Sequence, residues 1–377
     1  MTCEDKMERG YYVHFDARQS IGVSKKIDMQ IEELNRYFQV EEIDIRPLKR
    51  SLLKRIWGLL PTKSIDRDYQ SAIERIDKPD FIYIRRSVAD KKYVLFWQEI
   101  RKRYPQVKLI VEIFTYPYDK DDFGKWNAWP FWFKELIYRP QLKKYIDRFV
   151  TYTKDEEIFG VSTICTTNGI DCNSVRAVKG IYQDGELHMI GVAYMQRQHG
   201  YERVIKGLAH YYKQHNREYT IYLDLVGDGP EKKKYQKLVK ENRLEKYVTF
   251  FPTTSGEELE KLYNRADIAL AAFGMYKVNY YEAIGAIKTR ECLAKGLPMI
   301  SGSPIDILNS DFDYAKIFSN DRTPIDMECV LDFFQNIKEK GKSKENVAVI
   351  LREYAKEHAS MKTVMAPVVE YIEAERG

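Results

Sequence analysis

Lys288–Ile300, KTRECLAKGLPMI, reads as an amphipathic helix that opens on two cations and a glutamate, stops at a glycine and gives way to a strand. Leu293 and Ala294 are spaced to pack inward, Gly296 suits the left-handed helix stop, and Pro298 bars continuation before Met299 and Ile300 open the strand. A helix N-terminus beside cationic side chains suits a phosphorylated ligand, because its first N–H groups lack partners and its dipole favours negative charge. Taken alone, the segment is equally a surface helix followed by a strand, since such helices often begin with charge.

Working outward, LVGDGPEKKKYQKLV (225–239) reads as a buried strand, a glycine turn and a helix with Pro230 near its first turn. The apolar run YTIYLDLV ends at Gly227, and Gly229 lets backbone approach a ligand at the carboxyl end of that strand. YVTFF (247–251) and DIALAAF (267–273) are further short strands, separated by the helical pattern EELEKLYNRA (257–266). Such alternation implies a parallel sheet covered on both faces. LHMIGVAYM starts this second sheet. In the first half, YYVHFD (11–16), DFIYIRR (80–86), KLIVEIF (108–114) and RFVTYT (148–153) read as strands, and TICTTNGID ends another at an Asn-Gly turn.

The succession HGYERVIKGLAHYY (199–212), VGDGPE (226–231), VTFFPTTSGEELEKLYNRADIAL (248–270) and KTRECLAKGLPMI resembles the donor-binding half of family 4 glycosyltransferases of the GT-B fold, from Met189 to Leu308. A closer resemblance, to bacterial glycosyltransferases of surface-polysaccharide assembly, extends through EIFTYPYDKD (112–121) and TNGID (167–171). The resemblance implies an α/β GT-B fold with two doubly wound Rossmann-like domains facing a central cleft. We expect an acceptor-binding domain over 1–180, a nucleotide-sugar-binding domain over 181–350, and C-terminal helices over 351–377 that cross back.

Such a site displaces a nucleoside diphosphate from an anomeric carbon, so cations and backbone N–H groups should dominate the rate enhancement. Lys288 and Arg290 are the first choices for this electrostatic role. The resemblance implies that Glu291 accepts hydrogen bonds from ribose hydroxyls; otherwise it is a first-turn glutamate favoured by the dipole. Family 4 enzymes commonly show Glu-x7-Glu, but here Ala283 stands eight residues before Glu291 and Glu282 stands nine before, so either Glu282 serves through a one-residue shift or the first glutamate is absent. The family's arginine and lysine of the diphosphate clamp are replaced by Val192 after Gly191 and His199 before Gly200. Arg197, Arg203, Lys288 and Arg290 are the cations available to compensate, and Gly200, Gly227, Gly229 and Thr289 complete the expected donor site.

On the acceptor side the candidates are Gly22, in a loop expected between the first strand and an amphipathic helix, with Tyr116 and Asp119 of TYPYDKDD. Gly22 reads equally as a plain strand-to-helix turn, and Asp119 as a cap or a sugar contact. Glu112 is either a cleft residue or a buried, satisfied acid. The resemblance favours retention at the anomeric carbon, with UDP as the default nucleotide and GDP open. A GT-B partner subunit without turnover, or a nucleotide-sugar epimerase, are the alternative readings.

Composition is consistent with these expectations. At 377 residues two cores are expected, and 44% hydrophobic content suffices for both. No run approaches the roughly 20 apolar residues of a membrane span, and MTCEDKMERG does not read as a signal peptide, so a cytoplasmic protein is expected. Five scattered cysteines show no ligand or disulfide spacing, and neither a DxD triplet nor a His/Asp cluster appears, so no metal or other cofactor is expected. A net charge of +5 without a recognisable motif argues against nucleic acid.

Two segments stand out by chemistry. RPLKRSLLKRIWGLLPTK (46–63) has six cations, no acids and an apolar complement with Trp57, which suits either an anionic membrane surface or packing on its own domain. KWNAWPFWFKELIYRP (125–140) is rich in aromatics, for which mixed use is expected: core packing, with one or two residues on the acceptor side or at a membrane.

Overall fold

The computed structural model describes residues 7–19, 21–48, 64–65, 67–114, 116, 129–214, 218–309 and 311–374. The chain divides into two compact units, Met1–Thr167 with Val364–Gly377, and Asn168–Thr363.

Unit 1 is built on a seven-stranded sheet of order β2-β1-β3-β4-β5-β7-β6, from β1 (Arg9–His14), β2 (Gln39–Asp44), β3 (Phe81–Arg85), β4 (Lys108–Ile113), β5 (Arg148–Thr151), β6 (Glu157–Ile158) and β7 (Val161–Cys165). All pairings are parallel except that of β6 with β7. Every residue of β3 and β4 is buried, which is why both read as continuous apolar runs. QVEEID was not legible as a strand; β2 lies at the sheet edge, where Glu41, Glu42 and Asp44 reach Arg75, Arg18 and Arg46. Among the described residues the helices of this unit are α1 (Ile21–Leu34), α2 (Tyr69–Arg75), α3 (Lys91–Arg103) and α4 (Trp129–Tyr138).

Glu112 is the buried, satisfied acid. At 0% exposure it accepts from Lys26 and Arg85, both at 2.9 Å, from Gln30 at 3.0 Å and from Tyr152 Oη at 2.5 Å. Burial alone would raise its pKa; the Lys26 and Arg85 charges and the hydrogen bonds outweigh it and bring the carboxyl down to about 2.

Unit 2 carries a six-stranded, wholly parallel sheet of order β10-β9-β8-β11-β12-β13, from β8 (Glu186–Val192), β9 (Thr220–Val226), β10 (Val248–Phe251), β11 (Ile268–Leu270), β12 (Met299–Ser301) and β13 (Ala315–Ile317). Renumbered from its first strand this is 3-2-1-4-5-6, the doubly wound Rossmann order, and the direction of winding reverses between β8 and β11. Its helices are α5 (Glu202–Tyr211), α6 (Lys232–Glu241), α7 (Gly256–Arg265), α8 (Ile287–Lys295), α9 (Met327–Gly341) and α10 (Lys344–Ala359), and α11 (Met361–Glu373) follows. Gly296 ends α8 at φ +81°, against the backbone of Ala348.

Candidate functional site

In an open parallel sheet the crevice for a ligand lies beyond the carboxyl ends of the strands flanking the winding reversal. In unit 2 those ends lead into the loops after β8, β9 and β11. Backbone hydrogen bonds stitch the three loops together: Met195 N–H donates to Asp228 O at 2.5 Å, Glu231 N–H to Met195 O at 3.1 Å, Phe273 N–H to His199 O at 2.9 Å and Gly274 N–H to Gln198 O at 3.0 Å.

This approach is possible only without side chains. Gly227 and Gly229 stand at φ +126° and +135°, and a Cβ on them would lie 2.0 Å from Ala193 O and 2.5 Å from Met195 N. Gly200, at φ +60°, would place a Cβ 2.4 Å from Gly274 N. The glycines expected in the donor site therefore hold the backbone of the sheet's carboxyl edge.

Three side chains converge on this edge. Lys288 Nζ, at the start of α8, donates to the fully buried Tyr201 Oη at 3.0 Å and lies 5.6 Å from the Tyr201 ring centroid. Burial lowers the Lys288 pKa to about 8, and among the described residues no carboxylate stands within ion-pair distance of it. His199 Nδ1 accepts from Gln196 N–H at 3.0 Å, which assigns the remaining ring proton to Nε2. Burial, with the Lys288 charge second, pushes the His199 pKa down to about 3, so the ring is neutral at physiological pH. In place of a second cation the chain supplies a neutral N–H donor.

Glu291 lies three residues beyond Lys288, on the same helix face and partly exposed. Arg197 and Glu282 are exposed, Arg197 on the short turn after β8 and Glu282 five residues before α8. Tyr201 was not singled out from the sequence, although it lies within HGYER; the glutamate of that motif, Glu202, is paired with Lys277.

Other candidates are buried and engaged within the fold. Arg290, two positions past Lys288 and so on the opposite side of the helix, is 0% exposed and donates to Asn168 O at 3.0 Å, Thr289 Oγ1 at 2.9 Å and the Asp306 carboxylate. Thr289 is 1% exposed, and its hydroxyl donates to Ala286 O at 2.7 Å. Arg203 is also 1% exposed; it donates to Thr323 O at 2.6 Å and Phe273 O at 3.0 Å, and so fastens the loop after β11 from behind. These three hold the frame of the site. Asn168 does the same for the segment before α8, donating from Nδ2 to Gly285 O at 2.7 Å.

In unit 1, Gly22 is the second residue of α1 and not part of a loop; it is exposed, with nothing within 4 Å of a Cβ placed there. Tyr116 packs edge-on against Phe159, with ring centroids 5.8 Å apart. Asp119 lies outside the described residues, as does all of 46–63 except Arg46–Leu48, Ser64 being the next described position. Two cavities, of about 490 and 630 Å³, are lined by unit 1 residues. Among the described residues no group of three His, Cys, Asp or Glu is placed to hold a metal ion, and no helix is long and apolar enough to cross a membrane.

Residues 176–308, about a third of the chain, match the family model described as glycosyl transferases group 1. In structure the chain is similar to a glycosyltransferase from Rickettsia africae ESF-5, with a TM-score of 0.61 and 10% identity over 98% of this chain and 100% of that one. It is similar to a lipopolysaccharide outer core galactosyltransferase in its apo form, with a TM-score of 0.56 and 13% identity over 97% of this chain and 99% of that one. A third similar structure is a mutant of S. aureus TarM in complex with Fondaparinux, alpha-GlcNAc-glycerol and UDP, with a TM-score of 0.54 and 11% identity over 81% of this chain and 58% of that one. No curated protein matches by sequence. At these identities the structural likeness speaks for the fold alone. The reversed winding and the structural likeness give the chain the GT-B fold of glycosyltransferases, within which residues 176–308 match the group 1 glycosyl transferase model.

Proposed function

We propose that the protein is a metal-independent glycosyltransferase of family 4 type, which holds a nucleoside-diphosphate sugar at the carboxyl edge of unit 2 and passes the sugar, with retention, to a glycan or lipid-linked acceptor. The observation that carries this reading is Lys288, a half-buried ammonium at the N-terminus of α8 with no carboxylate within ion-pair distance among the described residues. A partly desolvated cation is stabilised by an anion, and a diphosphate would supply that charge.

In the proposed reaction the bond from the anomeric carbon to the leaving phosphate oxygen breaks, and its electron pair stays on the diphosphate. The acceptor hydroxyl oxygen bonds to that carbon and its proton passes to the departing phosphate. Negative charge grows on the diphosphate, so the Lys288 ammonium, the His199 Nε2–H and the first N–H groups of α8 stabilise the transition state more than the ground state. Glu291, one turn along, would accept from the ribose hydroxyls. Arg197, on the exposed turn beside His199, is the further cation available to the phosphates. Glu282 would act only through the shifted spacing.

UDP is favoured over GDP by analogy with the TarM complex, and a role in bacterial surface polysaccharide assembly by the lipopolysaccharide galactosyltransferase among the similar structures. A cytoplasmic enzyme at the inner face of a membrane, with acceptor contacts near Tyr116 and Asp119, completes the proposal. The test is calorimetry and donor hydrolysis with UDP-, GDP- and dTDP-sugars, with Lys288→Ala and Glu291→Ala alongside. One donor should bind and hydrolyse slowly, and both variants should lose it. No binding by folded protein across the panel would refute the donor site.

A further inference from the structure

The helix α4 has its polarity reversed. Trp129, Trp132, Phe133, Leu136 and Ile137 follow the i, i+3, i+4, i+7, i+8 spacing of one helix face and are exposed by 48, 37, 41, 43 and 47%. The helix's two charged residues face inward: Lys134 and Glu135 are 0 and 1% exposed. Glu135 accepts from Ala89 N–H at 2.8 Å and lies 3.4 Å from Arg86. A helix of a globular unit ordinarily buries its apolar stripe and solvates its charges; here both charged residues are buried, Glu135 beside Arg86, and the stripe, about 140° wide at 3.6 residues per turn, is presented outward.

We propose that α4 is a membrane-docking element that lays this stripe into the interfacial layer of an anionic lipid bilayer. Three observations select that occupant. Tryptophan rings at a solvent-facing surface suit the head-group layer, where an apolar body and one N–H donor are both satisfied. The exposed face carries no acid, since Glu135 is inside, and the turn that follows the helix exposes Lys143 and Lys144, which complement anionic head groups. The stripe is too small for a stable pair of copies: five side chains of roughly 200 Å² each, exposed by the fractions above, offer roughly 400 Å² against the ~800 Å² per partner of a standard interface. The element differs from the basic stretch 46–63, and the inference does not rest on the transferase reading.

Flotation of the full chain with vesicles of phosphatidylcholine, alone or mixed with phosphatidylglycerol, tests it. The protein should float with the anionic vesicles, and brominated lipid should quench fluorescence that is lost in Trp129→Phe/Trp132→Phe. Trp132→Ser/Phe133→Ser should weaken flotation by about tenfold or more with an unchanged circular dichroism spectrum, because two apolar side chains leave the interface. Leu95→Ser, at a 48% exposed leucine of α3, should not. Lys143→Glu/Lys144→Glu should weaken flotation on the anionic vesicles. The proposal is overturned if the wild type ignores both vesicles or if the aromatic double variant floats as well as the wild type. It is overturned equally if the free protein forms a dimer that this variant disperses, or if acrylamide cannot reach Trp132 in the free protein. Nucleotide-sugar binding, measured separately, keeps a failure here distinct from a failure of the donor site.

Discussion

Lys288 Nζ donates to Tyr201 Oη at 3.0 Å, with the ammonium beside the Tyr201 ring. This pair joins the start of α8 to the loop after β8, across the point where the winding of the sheet reverses. A neutral phenol aims the ammonium without cancelling its charge, as a carboxylate would.

Removing that charge should cost binding and spare the fold. Lys288→Met is expected to weaken donor binding by about 30-fold or more, the scale of a charge-assisted hydrogen bond of ~2 kcal/mol. Its melting temperature should be unchanged or higher, because a half-buried cation with no ion-pair partner among the described residues is gone. A melting temperature several degrees lower, with donor affinity intact, would make Lys288 a structural residue.

Arg290→Ala should behave in the opposite sense. It leaves the Asp306 carboxylate and the Asn168 carbonyl without their buried partner, so a loss of roughly 3 kcal/mol or more in urea unfolding is expected. The protein that remains folded should bind donor within a few-fold of wild type.

Donor affinity should depend on pH through Lys288. Its pKa near 8 means that the free protein carries this charge below pH 8 and loses it above. A diphosphate favours the protonated form, so affinity should be full on the acid side, fall as pH rises through 8, and be accompanied by proton uptake above that point. Calorimetry in buffers of different ionisation enthalpy reads the uptake directly. Lys288→Met should abolish both effects.

The Glu112 cluster predicts an acid limit for unit 1. Its folded pKa of about 2 is depressed, so its contribution is present above the unfolded value near 4.5 and is lost as pH falls through the folded one. Glu112→Gln should remove that acid dependence. It should also destabilise by roughly 3–5 kcal/mol at neutral pH, because Lys26 and Arg85 are left buried without their counter-ion. Chemical denaturation from pH 7 to pH 3 is the measurement.

Gly229→Ala should damage the loops at the sheet edge. At φ +135°, with a Cβ 2.5 Å from both Met195 N and Met195 O, the substitution is strained in dihedral and in space, and a loss of about 3 kcal/mol or more is expected. Gly22→Ala, in a helix with open space around it, should be neutral or slightly stabilising.

Local pattern was sufficient for much of this molecule. Strands buried on both faces, such as β3, β4 and β9, leave long apolar runs, and the glycine and proline after α8 mark its end; these are short-range properties, readable residue by residue. Edge strands do not leave that mark. β2 buries only one of its six residues and pairs Glu41, Glu42 and Asp44 with arginines, and three-residue β13 has two exposed residues, so neither stands out in the sequence. At the site, composition identified the cations but not their work. Lys288 and Arg290 are two positions apart, and about 200° of helix rotation sends one to the carboxyl edge of the sheet, beside Tyr201, and the other into the core. The aromatic residues of α4 gave no sign of which way they face. That was settled by distant residues: Ala89 and Arg86 offer Glu135 partners inside the fold, and satisfying a buried carboxylate outweighs burying the stripe on the other side of the same helix. Pattern along the chain therefore specified the elements and their winding, while partners brought together from afar assigned each charged or aromatic side chain its direction.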